Sequence, residues 1–399
     1  MSRQQLPPQI TKVMVTDRQT GKQVVRYQVR VDAGLDPETG KRHQVRRRFR
    51  TEREARSALA KFMVDAASGS YVPRKDVTVE EICQDWLDSL HWARRTTLAG
   101  YRYNLAPLRE QYGKLPLQKL TRKHLDDLVS ALKQGGTKTE KGTVRRPWAA
   151  RSLKRTIETT SMVLDYAIER KLLAHNVARA IKPKAGKKRK PLTYTPEEVS
   201  KLLASLEADR DGHLWFLALC GLRRSELGGL RWSGVDLERK TLVVHIGRAS
   251  AGGEAVEDDP KTEASVRTLP MDDEMVEVLR RAHRRQAADR LQLGEAYRDG
   301  DYVACNEDGT PYHPDTLTHR WAKAVKKAGV RHIRLHDARH TCGTTMHLRK
   351  VPLAVIAAWL GHADASVTAR IYTHSQDEAL REAARTLGEV VSSRVIEAG

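Results

Sequence analysis

Apolar residues recur along this chain at two distinct periods. From residue 22 to 50 the period is two. Val25, Tyr27, Val29 and Val31 alternate with Arg26, Gln28, Arg30 and Asp32, the pattern of a half-buried strand. DPETG at 36–40 supplies turn residues, and in the return segment KRHQVRRRFR Val45 and Phe49 share a face amid six basic side chains. The pattern predicts a basic β-hairpin. A helix should follow, with Thr51 and Glu54 spaced as a capping box and Ala55, Leu59, Phe62 and Ala66 as its apolar stripe.

From residue 76 to 181 the period changes to that of a helix. Thr78 and Glu81 form a second capping box ahead of Val79, Ile82, Trp86, Leu87 and Leu90. A second helix is expected to start near Thr97 and to be interrupted by Pro107. A third runs from Thr121 through Leu125, Leu128, Val129 and Leu132 to Gly135–Gly136, and TKTEKGTVRRP at 137–147 reads as a polar loop. A fourth carries Leu153, Ile157, Leu164 and Ala167. KPKAGKKRKP at 182–191 cannot bury a core and should be a linker. Thr195, Pro196 and Glu198 then open a new helix with cap, first-turn proline and capping carboxylate. TLVVHIG at 241–247 and SVRTLPM at 265–271 read as the two strands of a hairpin. Helices are expected near 197–206, 213–220, 224–230, 272–289, 315–328, 336–349, 352–359 and 376–387. The fold class that results is mainly α with small β-sheets.

Charge narrows the partners. The net charge of +21 favours a polyanion, with nucleic acid ahead of an anionic membrane surface because no basic amphipathic segment stands alone. The longest apolar run, LWFLALCGL at 214–222, is too short to span a bilayer, and MSRQQLPPQI lacks the apolar stretch of a signal peptide, so a cytoplasmic protein is expected. Cys83, Cys220, Cys305 and Cys342 are scattered and form no CxxC pair, which suggests neither zinc nor disulfides. A sheet rich in Arg26, Arg30, Arg46, Arg47 and Arg48 can enter a major groove, and Lys187, Lys188, Arg189 and Lys190 can run along a phosphate backbone. A solvated charged hairpin face and a merely soluble hinge are the plainer readings of these two segments.

The last third of the chain carries Arg223, Lys261, His336, Arg339, His362 and Tyr372 in that order, in the settings GLRRSEL, DDPKTEAS, LHDARH, WLGH and RIYTH. Breaking a DNA phosphodiester needs charge neutralisation, a nucleophile and a proton for the leaving oxygen. Arg223 and Arg339 can supply the first without a metal, since a guanidinium presents a planar, always charged fork to phosphate oxygens. Glu226, one turn beyond Arg223, can fix its local geometry, whereas Arg224 should point elsewhere. His336 and His340 lie a turn apart, but Asp337 stands where a zinc-protease helix needs glutamate, so no metal site is expected. His340 and Asp337 read as structural.

These motifs, over residues 192–388, closely resemble the tyrosine recombinases, the phage-integrase family of site-specific DNA recombinases. The resemblance implies a catalytic domain of that type at 192–388 and a tail at 389–399. Ahead of them it implies an arm-type DNA-binding domain at 1–70, a helical core-binding domain at 76–181 and a linker at 182–191. It implies that Lys261 protonates the departing 5′-oxygen and that His336 pairs with Arg339 as HxxR to accept or donate a proton at the phosphate. It further implies that His362 contacts the scissile phosphate and that Tyr372 is the nucleophile. Ala338 departs from the larger apolar residue common in the family, and the acidic flank at Glu257, Asp258 and Asp259 departs from what a DNA-facing loop would prefer. No cofactor is implied. The expected partners are attachment-site DNA and a tetramer formed on it, and a DNA-bending protein and an excision factor are further partners that integrases can need. The competing readings are a type IB topoisomerase-like relaxase, with the same nucleophile but no synapsis, and a non-catalytic DNA-binding regulator.

Overall fold

The computed structural model describes residues 5–17, 21–35, 42–67, 76–183, 191–245, 247–258 and 266–362, together with 384–385 and 387–388. The chain divides into two compact units. One comprises residues 1–91 and 101–186, and the other 92–100 and 187–399.

The first unit opens with an antiparallel three-stranded sheet in the order β1 (Ile10–Thr16), β2 (Gln23–Leu35), β3 (Arg42–Phe49). Strand β1 was not anticipated, because its apolar residues do not alternate cleanly with polar ones. Helix α1 (Glu52–Ala67) covers one face of the sheet, burying Ile10, Val29, Ala55 and Leu59. It starts as expected, with the Glu54 N–H donating to Thr51 Oγ1 and the Thr51 N–H to Glu54 Oε2, both at 3.2 Å. Then come α2 (Val79–Ser89), α3 (Arg95–Tyr112), α4 (Arg122–Gln134) and α5 (Ala150–Glu169). Ile82, Leu105, Leu108, Leu125, Leu128 and Leu164 are fully buried among them.

Pro107 does not interrupt the second of these helices, contrary to expectation. It lies inside α3, buried with Leu105 and Leu108 on either side. A proline in a helix interior costs about 3 kcal/mol. Burying two leucines contributes roughly 1.5–3 kcal/mol each, enough to carry the helix through.

The second unit is built around a core that includes Leu202, Trp215, Tyr312, Leu317, Trp321 and Ala338. Its helices are α6 (Pro196–Ser205), α7 (Gly212–Leu219), α8 (Arg224–Gly229), α9 (Asp273–Leu293), α10 (Pro314–Ala328), α11 (Leu335–Leu348) and α12 (Leu353–Leu360). The helix expected at 376–387 falls almost wholly outside the described residues. A small antiparallel sheet has the order β4 (Val235–Asp236), β5 (Thr241–Val244), β8 (Arg267–Pro270). Strands β5 and β8 pair as the sequence suggested, Leu242 opposite Leu269. Between them lies a second hairpin that the sequence reading missed, β6 (Gly247–Ala251) and β7 (Glu254–Asp258). Its turn is Gly252–Gly253, both at positive φ, the dipeptide signal of a two-residue hairpin. No helix among the described residues is long and apolar enough to cross a membrane.

Candidate active site

Two chain segments meet at the centre of the second unit and brace each other through main-chain oxygens. One is residues 220–223, between α7 and α8. The other is residues 359–361, the end of α12. The Trp359 indole N–H donates to Cys220 O at 2.8 Å, Arg339 Nη1 donates to Gly221 O at 2.7 Å, and Arg223 Nη2 donates to Gly361 O at 2.7 Å. Gly221 is required here. Its φ is +104°, and a Cβ would stand 2.8 Å from Leu360 Cδ2.

The last carbonyls of a helix have no partner within it. At the end of α12 three successive carbonyls are taken by three different arginines. Arg267 Nε donates to Trp359 O at 2.7 Å, Arg339 Nη2 to Leu360 O, and Arg223 Nη2 to Gly361 O. Gly361 then turns the chain in the left-handed region at φ +61°, with the His362 N–H returning to Ala357 O. His362 therefore leaves the helix directly beside the guanidiniums.

Glu226 lies among the same arginines. Its Oε2 accepts the Arg223 backbone N–H at 2.8 Å and its Oε1 accepts Arg223 Nη1 at 2.5 Å. Arg267 Nη1 and Nη2 reach the two oxygens at 3.0 Å each, and Arg339 Nη1 lies 3.9 Å away. Burial pushes the Glu226 carboxyl up, but the Arg267 hydrogen bonds and the Arg267 and Arg223 charges outweigh it and hold the pKa at about 2. Three guanidiniums thus face one carboxylate. The cluster has an excess charge of two in a largely buried setting, where an unmatched cation is costly. Such a place is built for an anion.

The histidines feel that field. His336 lies in the first turn of α11, one turn ahead of Arg339, and its ring meets the edge of His340 at 4.8 Å. Burial, then the charge of Arg339, lowers its pKa, and Arg223 adds to the effect. His362 is pushed down to about 4 by burial and then by Arg339 and Arg223, and His340 to about 4 by burial and then by His336. All three are neutral at pH 7. Asp337 is spent on the helix start, accepting from the Arg334 N–H at 3.1 Å and from its guanidinium. Arg224 points away, to Asp315 at 2.9 Å. Among the described residues no group of three His, Cys, Asp or Glu could hold a metal ion.

Arg223, His336, Arg339 and His362 are thus brought to one place. Lys261 and Tyr372 lie outside the described residues, as do Lys187, Lys188, Arg189 and Lys190. Glu257, read from sequence as an awkward charge near a DNA-facing loop, is an anchor. It accepts from Arg231 Nη2 at 3.0 Å and from the Tyr302 hydroxyl, and Arg248 lies 3.9 Å off. Arg267 was missed altogether. It shares the inward phase of β8 with buried Leu269, and a charge at an inward position of a strand was the available signal.

The family model for the phage integrase family matches residues 193–379, and one for an arm DNA-binding domain matches residues 14–66. The chain carries a phage integrase family domain. It is a tyrosine-type, site-specific DNA recombinase. A tyrosine recombinase XerC-like protein of Caldanaerobacter subterraneus is 27% identical over 390 residues, covering 91% of this chain and 96% of the relative. The ICEBs1 integrase of Bacillus subtilis is 23% identical over 371 residues, covering 92% and 98%. Among solved structures, the Tn1549 transposon integrase in complex with transposon right end DNA superposes with a TM-score of 0.62 at 18% identity. That match covers 78% of this recombinase and 99% of the other chain. A lambda integrase tetramer bound to a Holliday junction gives 0.53 at 17%, covering 93% and 96%. These likenesses place the fold of the recombinase among the integrases.

Proposed function

We propose that the recombinase cuts and rejoins attachment-site DNA at the cluster of Arg223, Arg339, His336 and His362, with Tyr372 as nucleophile and Lys261 as proton donor. The phenolic oxygen of Tyr372 attacks the scissile phosphorus and the bond to the 5′-oxygen breaks. Lys261 hands a proton to that oxygen, leaving a 3′-phosphotyrosine and a free 5′-hydroxyl. A 5′-hydroxyl from the partner duplex then attacks the same phosphorus and releases the tyrosine. One phosphoester is exchanged for another at each step, so no energy source is consumed.

The observation that carries this reading is the excess charge of two among Arg223, Arg267, Arg339 and Glu226. A phosphodiester carries one negative charge, and with a phenolate adding to it the five-coordinate state carries two. The cluster therefore matches the transition state better than the ground state. Neutral His336 can take the phenol proton, and neutral His362 can donate a hydrogen bond to a phosphate oxygen. The basic face of the N-terminal sheet is the arm-site reader in this scheme, and four copies assemble on the crossover DNA. The strand exchange that integrates or excises a mobile element follows from that assembly.

A nicked suicide substrate tests the chemistry. The wild-type protein should form a protein–DNA adduct that survives denaturant, and Tyr372→Phe should bind the same DNA and form none. An adduct with the phenylalanine variant would mean that another side chain attacks.

A further inference from the structure

Arg267 adds its charge to the cluster but is assigned no contact with the phosphate, and its guanidinium is held on all three nitrogens. Its side chain is buried, and every one of those nitrogens is already committed within the protein. Its two terminal nitrogens take both oxygens of Glu226 at 3.0 Å, and its Nε takes Trp359 O at 2.7 Å. A carboxylate has about four acceptor sites in its plane. On Glu226 two go to Arg267 and two to the backbone N–H and Nη1 of Arg223. The carboxylate is saturated and can sit in one orientation only.

The geometry points to Arg267 as a positioning residue for strand cleavage, acting through Glu226 on Arg223. The argument rests on the reading of Arg223 as a ligand of the scissile phosphate. Two effects combine. Arg267 fixes the carboxylate that aims the Arg223 fork. It also offsets that carboxylate's charge, so that Arg223, although paired with Glu226, keeps a net positive field for a phosphate. Without Arg267, Glu226 would face Arg223 as its main counter-ion and draw the fork away from DNA. The Trp359 contact ties the same brace to the end of α12, two residues before Gly361 and three before His362.

The test measures single-turnover cleavage of a nicked suicide site by the full-length protein. Two substrates are used, the natural diester and one in which a methyl group replaces a non-bridging oxygen of the scissile phosphate. Arg267→Met should slow cleavage of the diester by about 100-fold, the scale of losing one aimed donor to a developing charge. Filter binding should show DNA affinity within about threefold of wild type, as expected for a residue that touches no DNA. On the methyl-substituted site there is one negative charge fewer to neutralise, so the penalty should shrink to below about tenfold, as it should for Arg223→Ala. Arg267→Lys keeps the charge but not the two-pronged grip, so it should recover only part of the loss. It also carries the test if the methionine variant does not fold. Equal penalties on the two substrates, or diester cleavage within about threefold of wild type in a folded variant, would overturn the proposal. Failure of the underlying reading shows separately, as an adduct that persists in Tyr372→Phe.

Discussion

Glu226 is the residue on which the site turns. Alone in a buried place, a carboxylate would be driven toward its neutral form. Here Arg267 and Arg223 keep it charged at any physiological pH, with a pKa of about 2. The histidines show the opposite response to the same field. His340 and His362 have folded pKa values near 4, below the ordinary histidine value of 6.5. Between these two values the unfolded chain binds more protons than the folded one, so stability rises with pH across that window and falls as pH drops through it. The carboxylate contribution is lost only at lower pH, as the folded pKa of Glu226 is approached. Melting temperature should therefore decline as pH falls from 6.5 toward 4.5. His340→Gln together with His362→Gln should flatten that decline. A decline of the same steepness in the double variant would place its origin elsewhere.

At the scale of elements, the N-terminal sheet shows what pattern alone can and cannot deliver. Register places Gln28 opposite Arg48 and Arg30 opposite Arg46, so Arg26, Arg30, Arg46 and Arg48 share the face away from α1. Arg47 is on the other face, with its guanidinium 5.3 Å from the centre of the Phe62 ring. Arg30→Ala and Arg46→Ala should each weaken DNA binding and lower the slope of log affinity against log salt by about one. Arg47→Ala should leave that slope unchanged and lower the melting temperature instead, through the lost cation–π contact. Equal slope changes in all three would refute the assignment of faces. The elements themselves were largely legible. Capping boxes at Thr51, Thr78 and Thr195 fixed helix starts, and Gly135 and Gly361 marked ends. What escaped reading was decided by distant partners. Pro107 is held in α3 by the packing of its neighbours, and the Gly252–Gly253 turn was passed over inside a longer expected connection. Arg267 looks like any of the 71 basic residues until Glu226 is placed against it. The clustering of Arg223, Arg339 and His362 was legible only by resemblance, because main-chain oxygens, which no sequence distinguishes, do the gathering.

For the whole molecule, a net charge of +21 suits a protein with a polyanionic partner. Assembly is a separate matter from cleavage. Leu387 is 64% exposed, an apolar side chain on a segment beyond the catalytic helices. In the proposed assembly the tail serves a neighbouring copy on DNA. Deletion of residues 376–399 should leave covalent cleavage of an isolated half-site intact while removing the tetramer band in native gels of full sites. Tetramers of undiminished yield would show that the tail folds back on its own chain.

The end of α12 also bears on how this machinery tolerates drift. Its three arginines are received by the peptide oxygens of Trp359, Leu360 and Gly361, and every amino acid brings a peptide oxygen. Inheritance can rewrite side chains here without deleting a single acceptor. What stays fixed is a residue able to adopt a positive φ at 361 and the Trp359 indole that reaches Cys220 O. A lineage can thus vary widely in letters and still hand down the same seat for a phosphate.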